Sequence, residues 1–385
     1  MSATAPLVIL GTGLAGYSLA REFRKRDKTR PLMLVTRDDG CYYSKPMLSN
    51  AIAQGKTPES LCLATAEQQE KALNARILSG VEALHIDRGA RSVVVDGETI
   101  EYGDLVLAIG AEPVRLPIEG DAADEVLTVN DRLDYARFRE RLEPGMAITL
   151  IGAGLIGCEF ADDLAAGGWH ARVVDIGAHP LGRLVPRPLG EALAEALAER
   201  GVQWHLEDSV ARIDRDGDRL RVQTGKGAEW SADLVLSAVG LRPRTRLAEE
   251  AGLEVGRGIR VDRQLRTSDP HIRALGDCAE VEGLVLPFVM PLMNAARALA
   301  ATLAGEPTPV HYPAMPVVVK TPDYPLVVCP PRAGWTCEWR IAESSGRDIE
   351  AHCRDADDRL LGFALGGAAT AKKQALAKEV PDWLP

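Results

Sequence analysis

The sequence lacks the long apolar run that a membrane helix requires. No stretch of its 385 residues approaches the roughly 20 consecutive apolar residues that cross a bilayer. Its first six residues lack a basic segment followed by a long apolar run, so we expect no secretory signal and a cytoplasmic protein. Aromatic residues make up only 5%, but apolar residues reach 46%, which excludes a disordered chain.

Basic residues are outnumbered. The 45 lysines and arginines face 55 aspartates and glutamates, which gives a net charge of −10. An acidic chain without a basic tail is a poor candidate for non-specific binding to nucleic acid. We therefore expect no nucleic-acid partner and no membrane insertion.

The seven cysteines form no Cys-x-x-Cys pair. Their odd number and scattered spacing predict reduced thiols in a cytosolic protein. None has a resolving partner close in sequence, which disfavours a thiol-based reaction. Neither the cysteines nor the seven histidines have the spacing of metal ligands, so we expect no metal site and no iron–sulfur cluster.

A strand–turn–helix–strand pattern stands near the start of the chain. An apolar run at residues 7–10 leads directly into the turn Gly11-Thr12-Gly13-Leu14-Ala15-Gly16. Helical apolar spacing follows, and a second apolar run occupies residues 32–35. This is a βαβ unit of roughly 30 residues.

The same pattern recurs after residue 147. An apolar run at 148–151 precedes Gly152-Ala153-Gly154-Leu155-Ile156-Gly157, and a further strand pattern covers 171–175. In such turns the first glycine permits the tight bend, the second admits a pyrophosphate, and the third lets helix and strand pack closely. The helix N-terminus then faces the phosphates with free N–H groups. Two copies in the required context predict two dinucleotide sites.

An acidic residue at the end of the second strand of each unit should bind a ribose hydroxyl. Asp175 has this position in the second unit, without an arginine directly after it, which favours NADH over NADPH. In the first unit Thr36 stands where the acid is usual, and Asp38 follows. Either the Thr36 hydroxyl or Asp38 could bind the ribose, and a turn before Gly40 explains Asp38 equally well.

Two further buried strand patterns end in glycine, at Gly110 and Gly240, and prolines cluster after residue 312 around short apolar runs. We expect an α/β protein with two Rossmann-like dinucleotide-binding domains and a small C-terminal α+β domain. The predicted boundaries are 1–112 with 243–312 for the first domain, 113–242 for the inserted second domain, and 313–385 for the third.

Two nucleotide-binding units followed by the segment 267–277, which reads TSDPHIRALGD, resemble the two-dinucleotide-binding-domain flavoprotein reductases. The resemblance implies that the first unit binds FAD and the inserted unit binds NAD(P)H. It places Asp277 on the flavin ribitol and returns the chain to the FAD domain at this segment.

Within that family the sequence is most similar to the bacterial rubredoxin reductases. Residues 43–49 read YSKPMLS, and the segments 157–160, 289–292 and 318–322 also match. This resemblance implies transfer of electrons from NADH to FAD as hydride, and then singly to rubredoxin, whose iron would supply the metal centre.

The resemblance also implies roles for single residues. Lys45 would pair with Glu159 beside the flavin, and both are the expected catalytic residues. A Lys–Glu pair that bridges the two domains could fix the flavin edge and the nicotinamide, and its lysine would favour negative charge on a reduced flavin. The resemblance places Ala83 near the adenine, Val289 at the flavin pyrimidine and Lys320 near the flavin.

The predicted cofactor-binding residues are Gly11, Thr12, Gly13, Leu14, Ala15, Gly16, Thr36, Asp38, Lys45, Pro46, Ala83, Ala108, Gly110, Gly152, Gly154, Leu155, Ile156, Gly157, Glu159, Asp175, Gly240, Gly276, Asp277, Val289 and Lys320.

Other functions remain open at this point. The acceptor could be a [2Fe–2S] ferredoxin or a flavorubredoxin, although the Lys45-Pro46 form argues against the ferredoxin. A thiol-based NADH oxidase or peroxide reductase is a second alternative. A non-catalytic flavoprotein that changes its association on binding NADH is a third, disfavoured by the absence of a long insertion and of a basic excess.

Overall fold

The computed structural model describes residues 5–385. Its α-helices are α1 (Leu14–Arg26), α2 (Ala66–Leu73), α3 (Arg132–Glu140), α4 (Leu155–Ala166), α5 (Arg187–Glu199), α6 (Arg246–Glu250), α7 (Val289–Leu303) and α8 (Lys373–Ala377). Short 3₁₀ helices cover Lys45–Asn50, Ala123–Glu125, Gly276–Cys278 and Gly367–Lys372. Across the described range, no helix combines the length and the apolar character needed to cross a membrane.

The strands follow in chain order. The first group is β1 (Leu7–Leu10), β2 (Leu32–Val35), β3 (Arg76–Leu78), β4 (Ala83–Asp87), β5 (Ser92–Val95), β6 (Glu98–Glu101), β7 (Asp104–Leu107) and β8 (Ala111–Pro113). The second group is β9 (Leu127–Thr128), β10 (Ala147–Ile151), β11 (His170–Asp175), β12 (Gln203–Leu206), β13 (Val210–Asp216), β14 (Arg219–Thr224), β15 (Glu229–Ala232), β16 (Leu234–Ser237) and β17 (Leu241–Pro243). The last group is β18 (Ile259–Val261), β19 (Ile272–Ala274), β20 (Ala279–Val281), β21 (Val317–Val319), β22 (Leu326–Cys329), β23 (Glu338–Ser345), β24 (Asp348–Arg354) and β25 (Leu360–Gly366).

The first sheet is parallel and has the order β19-β7-β1-β2-β3. All four residues of β1 are buried, as expected for a parallel strand covered on both faces. Helix α1 packs against α7 on this sheet. Strand β19 follows the second unit in the chain but pairs with β7 of the first sheet. The first unit therefore contains residues from both sides of the second unit.

The second sheet repeats the arrangement with the order β12-β11-β10-β16-β9, again with parallel pairs throughout. Each parallel sheet is accompanied by a three-stranded antiparallel sheet, β4-β5-β6 for the first and β13-β14-β15 for the second. These two sheets confirm the predicted pair of Rossmann-like units.

The third part of the chain forms an antiparallel sheet with the order β21-β22-β25-β24-β23, followed by a 3₁₀ helix and α8. Its predicted α+β character is confirmed. Two of its buried side chains, Tyr324 and Leu326, share an apolar cluster with Leu48 and Phe160. One hydrophobic core therefore joins parts of all three regions.

The two chain segments that connect the parallel sheets pair with each other. Strands β8 and β17 run antiparallel, with Ala111 opposite Pro243 and Pro113 opposite Leu241. The predicted boundaries at 112/113 and 242/243 fall within this strand pair. The division into three domains with those limits stays a prediction.

Candidate functional site

The two glycine turns have the same local geometry. Gly11 and Gly152 have φ values of +110° and +106°, a left-handed region that glycine adopts without strain. A β-carbon on Gly11 would collide with the carbonyl of Ala108, and one on Gly152 would lie 2.8 Å from the carbonyl oxygen of Ala238. The first glycine of each turn is therefore required by both conformation and space.

The third and second glycines differ in what surrounds them. A β-carbon on Gly16 or Gly157 would collide with the carbonyl of the first glycine in the same turn. No atom lies within 4 Å of the β-carbon position of Gly13 or Gly154. The middle of each turn is thus open to a ligand, as a pyrophosphate requires. Helices α1 and α4 begin directly after it without a side-chain cap, which leaves N–H groups for an anion.

One large cavity lies where the three regions of the chain meet. Its volume is about 1540 Å³, above the usual range for a small-ligand pocket. The first glycine turn, the start of α4 and residues of β21 all contribute to its wall. Eighteen of the predicted site residues line it: Gly11, Thr12, Gly13, Leu14, Ala15, Thr36, Asp38, Lys45, Pro46, Ala83, Ala108, Gly110, Leu155, Ile156, Glu159, Asp277, Val289 and Lys320.

The remaining predicted site residues lie outside the cavity wall. They are Gly16, Gly152, Gly154, Gly157, Asp175, Gly240 and Gly276. Gly16 and Gly276 lie behind the wall, where a β-carbon on Gly276 would come within 2.8 Å of the Ala15 side chain. The others belong to the second unit, whose glycine turn lies at the end of β10.

The acid of each unit holds its glycine turn. The Oδ1 atom of Asp38 accepts hydrogen bonds from the hydroxyls of Thr12 (3.2 Å) and Thr36 (2.7 Å) and from the Gly40 N–H (2.9 Å). Asp175 accepts the N–H groups of Ala153 (2.7 Å) and Gly177 (2.6 Å). Both acids thus contact the second residue of their glycine turn, Asp38 through the Thr12 hydroxyl and Asp175 through the Ala153 N–H, although Asp38 stands two residues later than expected.

Lys45 and Glu159 do not pair, so the predicted bridge between them is wrong. The Lys45 Nζ atom donates to Oδ1 of Asn130 at 2.8 Å and lies 3.8 Å from the Asp277 carboxylate. Desolvation by burial lowers the pKa of Lys45, while Asp277 raises it by a smaller amount.

Glu159 has other partners. Its buried carboxylate accepts the Ser49 hydroxyl at 2.6 Å and the backbone N–H of Lys320 at 3.0 Å, and it forms an ion pair with the Lys320 ammonium. These three bonds explain why Lys45 is excluded, because a carboxylate already neutralised by one lysine gains little from a second. The glutamate still bridges two regions of the chain, but with Lys320 as its cation.

Three residues at the site were not found from the sequence. Asn130 is buried and follows β9, at the carboxyl edge of the second sheet, where ligands of α/β proteins usually bind. That rule was the available signal. Ser49 lies within the YSKPMLS segment but carried no predicted role. Arg244 donates to the Ile109 carbonyl at 2.9 Å and lines the cavity, and no sequence pattern marked it.

The cysteines contradict the expectation of reduced thiols. Cys41 is bonded to Cys62 and Cys337 to Cys353, with Cα–Cα distances of 5.8 and 5.6 Å. Cys41 and Cys62 lie next to the bridge between Tyr42 and Ala64, and Cys337 and Cys353 lie at the same end of the β23–β24 hairpin. Their spacing in the sequence did not reveal either pair.

Three cysteines remain as buried thiols in the described range, Cys158, Cys278 and Cys329. Burial raises the pKa of all three thiols, that of Cys278 to about 11. They are therefore protonated at neutral pH and are poor nucleophiles.

Two Rossmann-like units with glycine turns, both of which contribute residues to the wall of one cavity, are typical of pyridine-nucleotide oxidoreductases. Residues 5–301 match the family described as pyridine nucleotide-disulphide oxidoreductase, and the chain belongs to that family. Residues 309–380 match the family described as rubredoxin binding C-terminal domain.

Individual relatives agree with this assignment. The chain is 47% identical over 385 residues to the rubredoxin-NAD(+) reductase of Alcanivorax borkumensis, covering 99% of this chain and 100% of that protein. It is 44% identical over 389 residues to the rubredoxin-NAD(+) reductase of Acinetobacter baylyi, covering 99% of each. The crystal structure of the covalent putidaredoxin reductase–putidaredoxin complex superposes with a TM-score of 0.89 at 28% identity, covering 99% of this chain and 94% of that one. The sequence resemblance to rubredoxin reductases is confirmed.

Proposed function

We propose that this protein transfers electrons from NADH to rubredoxin through a bound FAD. One observation carries the proposal. The region that matches the rubredoxin-binding family contributes Lys320 to the same cavity that holds the first glycine turn and the start of α4. A partner docked on that region would lie next to the cofactor cavity, as direct electron transfer requires.

The first unit suits FAD. Its glycine turn is open at Gly13, its helix start is uncapped, and Asp38 keeps Oδ2 as an acceptor for a ribose hydroxyl while Oδ1 holds the turn. We propose Asp38 rather than Thr36 for this contact, because the Thr36 hydroxyl already donates to Asp38. Asp277, Ala83 and Val289 line the same cavity, which supports their proposed contacts with ribitol, adenine and the flavin.

The second unit suits NADH. Its turn is open at Gly154, and Asp175 stands at the end of β11 with its carboxylate fixed by two N–H groups. A fixed carboxylate favours a ribose with free hydroxyls and repels a 2′-phosphate. We therefore propose NADH as the reductant, and the cytoplasm, where NADH is supplied, as the location.

Bound FAD would accept a hydride and release electrons singly. The chain's own residues position and tune the site. Lys45 and Arg244 give the cavity wall two cationic groups, which favour negative charge beside them. Glu159, bonded to Ser49 and Lys320, holds the N-terminal half of α4 against the other two regions. Rotation of the NADH-binding unit away from the flavin is thereby opposed.

The proposal is tested by turnover with NADH and three acceptors: rubredoxin, a [2Fe–2S] ferredoxin and a flavorubredoxin. We expect yellow protein with one FAD per chain and the highest kcat/KM with rubredoxin. Treatment with a thiol-alkylating reagent should leave this turnover intact, because the free thiols are buried and protonated. Faster turnover with ferredoxin would contradict the proposed partner, and activity lost on alkylation would indicate a thiol-based reaction.

A further inference from the structure

We infer that Asn130 is the positioning residue for Lys45. The Lys45 ammonium donates to Asn130 Oδ1 at 2.8 Å. Asn130 Nδ2 in turn donates to the carbonyl of Ala111 at 3.0 Å. Because a carbonyl accepts only from the NH₂ side of the amide, the Asn130 oxygen has to face the lysine. The Ala111 carbonyl therefore orients the Asn130 amide, and the amide oxygen binds Lys45.

Asn130 is itself held firmly. The residue is 6% exposed, and its backbone N–H donates to the Asp134 carboxylate at 3.0 Å. Asp131 caps the start of α3 by accepting the Asp134 N–H at 2.8 Å. The residue thus sits in a fixed turn between β9 and α3, and it links that turn to β8 and to the 3₁₀ helix that begins with Lys45.

Lys45 has no comparable acceptor among the described residues. Asp277 lies 3.8 Å away, beyond hydrogen-bonding distance, and Glu159 is bound to Ser49 and Lys320. Arg244 adds a second positive charge nearby, which lowers the pKa of Lys45 further. The bond to Asn130 is what keeps the ammonium at a fixed point of the wall.

The neutrality of Asn130 decides what the ammonium contributes. The Asp277 carboxylate already lies 3.8 Å from the ammonium. A second carboxylate in place of Asn130 would bind Lys45 directly and add a negative charge, whereas an amide holds the ammonium without adding charge. Asn130 thereby fixes both the position and the net charge of the group. Its effect on a bound flavin rests on the proposed function, but its effect on Lys45 does not.

The test compares Asn130→Ala and the isosteric Asn130→Asp with the wild-type holoprotein. Trace acetylation across a pH series, followed by mass spectrometry of the peptide that contains Lys45, reports the fraction of neutral amine. We expect Asn130→Ala to raise the acetylation rate about tenfold, because a hydrogen bond to a charged group shifts its pKa by about one unit. Asn130→Asp should lower the rate and shift the flavin midpoint potential to more negative values.

A matched control is Gln203→Ala. Its amide oxygen accepts from Arg172 Nε at 2.9 Å on the exposed edge of the second sheet. The variant therefore removes the same type of bond outside the cavity wall and should leave both readouts unchanged. Wild-type acetylation of Lys45 in both Asn130 variants would overturn the inference. A wild-type protein that does not reduce rubredoxin would instead overturn the proposed function, since the acetylation rates do not depend on the acceptor.

Discussion

Glu159 on α4 binds both the backbone N–H and the side chain of Lys320, which follows β21 in the third region. The same carboxylate accepts the hydroxyl of Ser49. Four residues along the helix, Asp163 accepts the N–H groups of Ile52 and Ala53 at 2.9 and 2.8 Å. Buried acidic side chains of one helix therefore join all three regions around the proposed flavin site.

Removal of the cation from this pair should destabilise the protein. Lys320→Met leaves the Glu159 carboxylate buried with only its neutral donors, and loss of one partner of a buried pair costs about 3 kcal/mol. We expect thermal unfolding several degrees lower than in the wild type. The exposed Lys378→Met is the control in the same region, and an equal melting temperature for Lys320→Met and Lys378→Met would refute the structural importance of the pair.

The contributions of Asp38 and Thr36 to FAD binding can be distinguished by mutation. Asp38→Asn removes the charge that holds the first glycine turn and is proposed to bind the ribose, so the FAD dissociation constant should rise by about tenfold or more. Thr36→Val removes only one donor to Asp38 and should have a smaller effect. Fluorescence of released FAD measures both. A larger loss of FAD from Thr36→Val would assign the ribose contact to the threonine.

Asp175→Asn tests the second nucleotide site. The amide oxygen can still accept the Ala153 N–H, but the negative charge is lost. We expect the KM for NADH to rise about tenfold and the preference for NADH over NADPH to decrease. The FAD content should stay at one per chain. An unchanged KM for NADH would show that Asp175 only supports the glycine turn.

Asp162 should make the stability of the protein depend on pH. The residue is 4% exposed, and burial, followed by the nearby Asp323 charge, raises the pKa of its carboxyl from 3.8 to about 7. Asp163 raises it further, whereas the Asp323 N–H and Arg200 lower it. The folded state therefore binds the proton more tightly than the unfolded state. This contribution to stability is complete below pH 4, falls between pH 4 and 7, and is lost above pH 7.

The variant Asp162→Asn imitates the protonated acid at every pH. Its melting temperature should match that of the wild type near pH 4 and exceed it at pH 8. At pH 8 the free energy of unfolding should differ by a few kcal/mol, since each unit of pKa shift corresponds to about 1.4 kcal/mol. The exposed Asp218→Asn serves as the control. A difference that does not change between pH 4 and 8 would show that Asp162 does not titrate in this range.

The sequence was sufficient to predict what short segments determine by themselves. The glycines at 11, 13 and 16 predicted a tight, open turn, and the structure places each one as expected. The partners of individual side chains were harder to predict from the sequence. Lys45, Glu159 and Lys320 were all identified, but which lysine reaches the glutamate depends on how three regions pack. Neither Asn130 nor the bond between Cys41 and Cys62 belongs to a local pattern, since each links segments far apart in sequence.

The most direct test of the proposed function is an anaerobic stopped-flow experiment. The protein is first reduced with one equivalent of NADH and is then mixed with increasing concentrations of oxidised rubredoxin. We expect the flavin absorbance to recover as two equivalents of rubredoxin are reduced, at a rate that exceeds the steady-state turnover number. Recovery slower than turnover, or no recovery at all, would contradict direct electron transfer from this cavity to rubredoxin.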